Sequence, residues 1–136
     1  MSNIIANLKL SLLLRITLHL IRKAKKYSPR VQQLLEQESF IFQISTKSGA
    51  GGYFDVHNGT IDLHFGTHQK PDFCTVWNSA NDAFSTMTSK DETDLLRALE
   101  DRKCRMSGHF KYALWFNEVM KIARTRQDVL TVPASN

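Results

Sequence analysis

The chain has 136 residues, of which 42% are hydrophobic and 23% are charged. This composition is ordinary for a soluble globular domain and excludes a fibrous or largely disordered protein. A chain of this length forms one domain that buries roughly two thirds of its unfolded surface, which is not enough for two separate cores. The two cysteines, Cys74 and Cys104, cannot make a disulfide framework, so we expect buried thiols in a reducing compartment.

The net charge of +5 is unevenly distributed along the chain. Residues 1–35 contain seven Lys or Arg residues and no Asp or Glu, whereas the remainder contains 11 basic and 13 acidic residues. A basic segment rich in Leu and Ile suits an anionic membrane surface, where we expect Arg22, Lys23, Lys25 and Lys26 to make contact. Nucleic acid is not an expected partner, because no aromatic residue before Tyr27 is present to stack on bases.

Residues 1–38 are predicted to form a basic, apolar helical segment. The apolar run from Ile4 to Ile21 is interrupted by Lys9, Arg15 and His19, and a central charge costs about 3 kcal/mol in a membrane, so a spanning helix is not expected. Apolar residues fall all round the helix wheel, which leaves three placements open: docked on the domain, lying on a membrane surface, or acting as a targeting segment. The strict alternation of Leu and Ile also keeps a strand open, although the run is far longer than a usual strand. Ser28-Pro29 predicts a second, short helix that ends near Glu38.

Three strands are predicted between Phe40 and Phe65, because apolar residues alternate along each of them. A glycine-rich turn separates the first two strands, and Asn58-Gly59 is typical of a two-residue hairpin between the second and the third. Counting back from this hairpin pairs Val56 with Ile61 and Phe54 with Leu63, which puts the apolar side chains on one face.

After Pro71 the pattern predicts a fourth strand, two short helices, a fifth strand that ends at Gly108, and an apolar closing helix. Ser79 or Asn81 caps the first of the short helices, and Ser89 with Glu92 forms a capping box for the second. Residues 39–124 are therefore the folded domain, and residues 125–136 are a polar tail. The predicted fold class is two-layer α+β, with a five-stranded, mainly antiparallel sheet and helices packed on one face.

Three features of the second half carry a family resemblance. Asp72 opens an alternating strand, Asn81-Asp82-Ala83-Phe84 enters a helix, and residues 104–108 read hydrophobic, basic, hydrophobic, small and Gly. In order and spacing, Phe40 to Ala123 resembles the sterol carrier protein type 2 domain, a non-enzymatic lipid binder. The basic N-terminal segment is not part of the family's usual pattern, and the ending Ala-Ser-Asn is not a peroxisomal signal, so a bacterial relative is expected.

The resemblance implies a hydrophobic tunnel between sheet and helices that holds a fatty acid, an acyl chain, a sterol-like lipid or an isoprenoid. The expected lining residues are Phe73, Thr75, Trp77, Phe84, Met87, Met106, Trp115, Phe116 and Met120. Each of these side chains could instead belong to the hydrophobic core, because ligand pockets and cores are built from the same apolar and aromatic residues. The alternative is an accessory role, as in bacterial relatives of the family. In that role the protein would support membrane-associated enzymes of lipid or ubiquinone synthesis. Either role implies a cytoplasmic protein, either free or attached peripherally to the inner membrane.

A metal-dependent enzyme is the least favoured reading, and its candidate site is the outer face of the hairpin. Asp55 and Asp62 are predicted to lie opposite each other there, flanked by His57 and His64, and these side chains are competent zinc ligands. A solvated face on which a nearby Lys or Arg relieves the repulsion is favoured instead. No catalytic, phosphate-binding or dinucleotide motif is present, so neither catalysis nor a cofactor is predicted.

Overall fold

The computed structural model describes residues 2–91 and 93–131. Five helices and five strands follow one another in these residues: α1 (Ser2–Tyr27), α2 (Pro29–Gln37), β1 (Phe40–Thr46), β2 (Gly51–His57), β3 (Thr60–Phe65), β4 (Phe73–Trp77), α3 (Ala80–Met87), α4 (Thr93–Glu100), β5 (Cys104–Gly108) and α5 (Lys111–Thr131).

The strands form one sheet in the order β3-β2-β1-β4-β5. Every neighbouring pair is antiparallel except β1 and β4, which run parallel. The predicted α+β class and mainly antiparallel sheet are therefore confirmed. Strand β1 lies at the centre, and its side chains are buried on both faces except that of Ile41.

The hairpin between β2 and β3 has the predicted register. Val56 pairs with Ile61 and Phe54 with Leu63, and Asp55 lies opposite Asp62. The turn residues Asn58 and Gly59 have φ angles of 49° and 78°. Both positions are left-handed, as a tight two-residue turn between twisted strands requires.

Asp72 and Gly108 join three strands at one corner of the sheet. The Asp72 carboxylate accepts a hydrogen bond of 2.7 Å from the backbone N–H of Ile41, and its carbonyl accepts one of 3.0 Å from His109. Gly108 has a φ of 99°, and a Cβ there would lie 2.2 Å from the carbonyl oxygen of Asp72. Only glycine fits this approach, which gives the glycine that ends the fifth-strand motif a physical reason.

The N-terminal segment is a helix docked on the domain. Leu10, Leu14, Ile21 and Ala24 are fully buried at helical spacing and belong to the same hydrophobic core as the sheet. Ile4–Tyr27 is also long and apolar enough to cross a membrane, with a mean hydropathy of 1.7 over its best window. Crossing would pull these four side chains out of the core, so the docked arrangement is the one the packing supports.

Helix α2 connects α1 to α5. Its predicted cap is confirmed, because the hydroxyl of Ser28 accepts a hydrogen bond of 3.2 Å from the Val31 N–H. Arg30 donates two hydrogen bonds to the Glu118 carboxylate, of 2.6 and 3.0 Å. The hydrogen bond from Arg30 lowers the pKa of Glu118.

The remaining helices differ from prediction mainly at their ends. Ser79 is the cap of α3, and Asp91 accepts a hydrogen bond of 2.9 Å from the Thr93 N–H at the start of α4. Glu92, the second half of the predicted capping box, lies outside the described residues. Helix α5 continues to Thr131, past the predicted start of the tail at residue 125, because no Gly or Pro interrupts it. The division into residues 1–38, 39–124 and 125–136 stays a prediction.

Candidate functional site

An apolar cavity of about 190 Å³ lies between the inner face of the sheet and α5. Strands β1, β4 and β5 form its floor, α5 forms one wall, and the end of α3 with α4 closes the other side. Its lining consists of Phe42, Ile44, Phe73, Thr75, Trp77, Met87, Leu95, Met106, Ala113, Phe116, Asn117, Met120 and Arg124.

Packed aromatic rings shape the floor of the cavity and its α5 wall. The ring centroid of Phe42 lies 5.1 Å from that of Phe73 and 4.7 Å from that of Phe116. The polar groups of the two β4 side chains in the floor bond to each other, since the indole N–H of Trp77 donates to the Thr75 hydroxyl over 3.1 Å. In the described residues no buried side-chain N or O atom lacks a hydrogen-bond partner. The floor therefore offers a ligand apolar contact and little polar recognition.

Methionines are concentrated at this site. The chain has four methionines, and the three that follow Met1 all line the cavity: Met87, Met106 and Met120. Pockets for small molecules usually measure about 300–1,000 Å³, so a cavity of 190 Å³ must widen to admit a long apolar chain. Flexible thioether side chains can repack with little strain, which provides a route to that widening.

Two polar side chains occupy the rim. Asn117 and Arg124 follow Ala113 and Met120 along one side of α5, and both are exposed. The guanidinium of Arg124 donates a long hydrogen bond of 3.4 Å to the Met87 carbonyl at the end of α3. The rim thus places a positive charge next to an apolar interior.

Seven of the nine residues predicted to line the tunnel do line this cavity: Phe73, Thr75, Trp77, Met87, Met106, Phe116 and Met120. Phe84 and Trp115 are not among the lining residues. Trp115 packs edge-on against Phe40 at 4.8 Å and donates to the Leu34 carbonyl over 2.8 Å. Phe84 lies beside α1, with the ammonium of Lys9 5.8 Å from its ring centroid.

Sequence reasoning missed the contribution of β1 to the site. Phe42 and Ile44 line the cavity because β1 runs parallel to β4, with Phe42 opposite Phe73 and Ile44 opposite Thr75. Their alternation on one face of β1 was visible in the sequence, but the neighbouring strand was not. Leu95, Ala113, Asn117 and Arg124 were missed as well, and no motif marks them.

The outer face of the hairpin carries the paired aspartates. Arg22 of α1 reaches across to Asp62 over 2.8 Å, and His57 lies 3.2 Å from Asp55. The prediction that a basic side chain relieves the repulsion is confirmed. Within residues 2–91 and 93–131 no group of three or more His, Cys, Asp or Glu side chains is placed to hold a metal ion.

The two cysteines are free and buried. Burial, with a smaller contribution from Cys74, raises the pKa of Cys104 to about 12. A thiol with so high a pKa stays protonated at neutral pH, and the thiolate is the nucleophilic form. Cys104 therefore fits a packing role.

Two larger depressions on the surface are polar or charged. One of about 490 Å³ lies between α1 and the start of α3, and its lining includes Asn7, Lys9, Asn78 and Asn81. The other, of about 640 Å³, lies between the end of α1 and β3, and its lining includes the basic side chains of Arg22, Lys25 and Lys26 together with Asp62. Neither lining contains a methionine or an aromatic ring, in contrast to the cavity beneath α5.

No family model and no curated protein matches the sequence. Solved structures do match. UbiJ-SCP2, a ubiquinone synthesis protein, is 11% identical with a TM-score of 0.54, over 71% of this chain and 83% of that one. The sterol carrier protein domain 2 of Helicoverpa armigera is 18% identical with a TM-score of 0.51, over 78% and 84%.

The chain has the sterol carrier protein type 2 fold. This confirms the resemblance that the sequence predicted, at the level of fold. The same fold matches part of a double mutant of the sec-alkyl sulfatase PisA1, with 11% identity and a TM-score of 0.51. That match covers 71% of this chain but 17% of the sulfatase chain, so the present protein spans only a small part of that enzyme's length.

Proposed function

We propose that this protein binds and carries a hydrophobic lipid, such as a fatty acid, an acyl chain, a sterol-like lipid or an isoprenoid, and catalyses no reaction. The observation that supports this best is the cavity beneath α5, whose wall is apolar, rich in methionine and positively charged at its rim. The fold that it shares with a sterol carrier protein domain supports the same function.

Burial of an apolar chain supplies the binding free energy. Each buried methylene contributes about 0.8 kcal/mol, so ten methylenes contribute roughly 8 kcal/mol before the costs of association and of widening the cavity. A micromolar dissociation constant corresponds to a net binding free energy of about 8 kcal/mol. Because the costs of association and widening must also be offset, long chains are favoured over short ones. Release requires no covalent step, because the flexible methionine side chains can repack again to let the chain leave.

An accessory role in membrane-associated lipid or ubiquinone synthesis is the second candidate. The likeness to UbiJ-SCP2 supports it, because that protein is a ubiquinone synthesis protein. In this role the cavity holds an isoprenoid intermediate, and the protein is cytoplasmic with peripheral attachment to the inner membrane. Deleting the gene in a host that makes ubiquinone should lower the quinone content measured by liquid chromatography, and an unchanged content would count against this role.

A fluorescent fatty acid should bind the folded protein saturably, with a dissociation constant of about one micromolar or lower, and unlabelled fatty acid should displace it. Phe116→Ala removes a ring from the cavity wall and should weaken binding, whereas Phe110→Ala should not, because Phe110 is exposed outside the cavity. Trp77→Ala is a poorer probe, since Trp77 is 2% exposed and its loss costs about 3–5 kcal/mol of stability. The absence of saturable binding would contradict the proposed function.

A further inference from the structure

Helix α1 has a second apolar side, opposite the one docked on the core. Five large side chains on it are between 45% and 64% exposed, and we call them the outer ridge: Ile4, Ile5, Leu8, Leu12 and Ile16. At 1.5 Å per residue the ridge is roughly 18 Å long. The sequence appears apolar all round the helix because some of its apolar side chains are buried against the core, others are half-buried, and the five of the outer ridge face solvent.

Positive charge continues the outward side of the helix beyond the ridge. Lys23 and Lys26 are exposed on the same side, and Lys9 and Arg15 flank the ridge itself. The guanidinium of Arg15 lies over the ring of Phe65, 5.1 Å from its centroid, and Phe65 is 46% exposed. Phe65 therefore extends the apolar surface sideways onto the edge of the sheet.

The four residues predicted to contact a membrane are not equivalent. Arg22 donates to the Ile61 carbonyl over 2.9 Å and to the Asp62 carboxylate over 2.8 Å, so it fastens α1 to β3. Lys25 and Lys26 line the basic depression beside Arg22, and Lys23 is exposed on the outward side. Of these four residues, Lys23 and Lys26 are thus the cations best placed to continue the outward side beyond the ridge.

Charge argues against a second copy of the chain as the partner of the ridge. Two copies packed in parallel would bring Lys23 and Lys26 against the same residues of the other copy. Two copies packed antiparallel would lay the basic half of one helix over the apolar half of the other. Residues 1–35 contain no Asp or Glu to compensate in either arrangement.

We propose that α1 docks on an anionic lipid bilayer while it stays packed on the domain, with the outer ridge among the acyl chains and with Lys23 and Lys26 at the headgroups. An interfacial helix of this kind needs an apolar side, a basic side and a membrane of opposite charge. The proposal rests on α1 and is independent of whether the cavity beneath α5 holds a lipid.

The test uses the full chain and sedimentable vesicles of phosphatidylcholine, with or without phosphatidylglycerol. The double variant Leu8→Gln/Leu12→Gln should lose at least about tenfold in partitioning to the anionic vesicles, because two apolar side chains no longer insert. The matched control is Leu96→Gln/Leu114→Gln, which alters two leucines that are each 60% exposed on α4 and α5. It should bind within about twofold of the parent.

A second comparison tests the contribution of charge to vesicle binding. It sets the variant Lys23→Gln/Lys26→Gln beside the control Lys47→Gln/Lys70→Gln, which removes two exposed lysines outside α1. Each lysine near an anionic surface should contribute about fivefold to partitioning at low salt. The first pair should therefore weaken binding, and the difference should shrink as salt is raised. The second pair should leave binding unchanged.

Several results would overturn the proposal. One is an equal loss of vesicle binding in the ridge variant and its control. Another is equal binding of the parent to vesicles with and without phosphatidylglycerol. A third is no vesicle binding by the parent at low salt. Concentration-dependent dimers of the parent in sedimentation velocity, lost in Leu8→Gln/Leu12→Gln, would assign the ridge to self-association instead. Thermal unfolding verifies that each variant is folded, and if the double ridge variant is not, each single variant should show part of the same loss.

Discussion

Replacing Leu14 by Ala is expected to lower the free energy of unfolding by about 2–5 kcal/mol, the cost of deleting a buried leucine side chain. Leu14 lies on the docked side of α1 and is fully buried. Leu12→Ala is the matched control, because Leu12 lies on the same helix and is 57% exposed. It should change stability by less than about 0.5 kcal/mol. Urea unfolding followed by circular dichroism and tryptophan fluorescence measures both variants.

Equal and small effects of the two substitutions would show that α1 is not part of the core. The docked helix and the outer ridge would then both be wrong, because the ridge is defined by its position opposite the buried side. Helix propensity cannot produce the expected difference, since both variants exchange Leu for Ala within the same helix.

Replacing Ala113 by Phe is expected to reduce fatty-acid binding by about tenfold or more, because the ring enters the cavity that the ligand needs. Ala113 lies on the cavity side of α5. The neighbouring substitution Leu114→Phe is the matched control, since Leu114 is 60% exposed and does not line the cavity. Titration with a fluorescent fatty acid measures both variants, and thermal unfolding verifies that they are folded.

The pair separates a ligand in the cavity from a ligand on the surface. If Ala113→Phe binds as well as the parent, any bound lipid lies elsewhere. If both variants lose binding equally, α5 matters for a reason other than the space beneath it. A folded Ala113→Phe variant with weakened binding, beside an unchanged Leu114→Phe variant, is the expected outcome.

Local interactions made much of the sheet predictable. The β2–β3 hairpin depends on Asn58-Gly59 and on alternation within a few residues, and its register follows from both. The parallel pairing of β1 with β4 joins residues separated by two other strands, and no short pattern encodes it. The sequence therefore predicted an apolar face on β1 without showing that this face lies under the cavity.

Helical rotation explains why Trp115 lies away from the cavity. One residue along a helix turns the side chain by about 100°, so Trp115 packs on Phe40 and α2 while its neighbour Phe116 lines the cavity. An aromatic-rich stretch does not show which of its faces meets the ligand. The same limit applied to α1, where apolar residues all round the helix predicted burial, although the five side chains of the outer ridge are exposed.

Native mass spectrometry of the full chain purified from its own host tests lipid carriage most directly. If the protein carries lipid, the spectrum should show a protein peak with one additional mass that corresponds to a lipid. That mass should be released at high collision energy, and it should be reduced in Ala113→Phe but not in Leu114→Phe. The released mass also names the lipid class. A folded protein that carries no lipid from the host and takes up none from an added fatty-acid mixture would contradict lipid carriage.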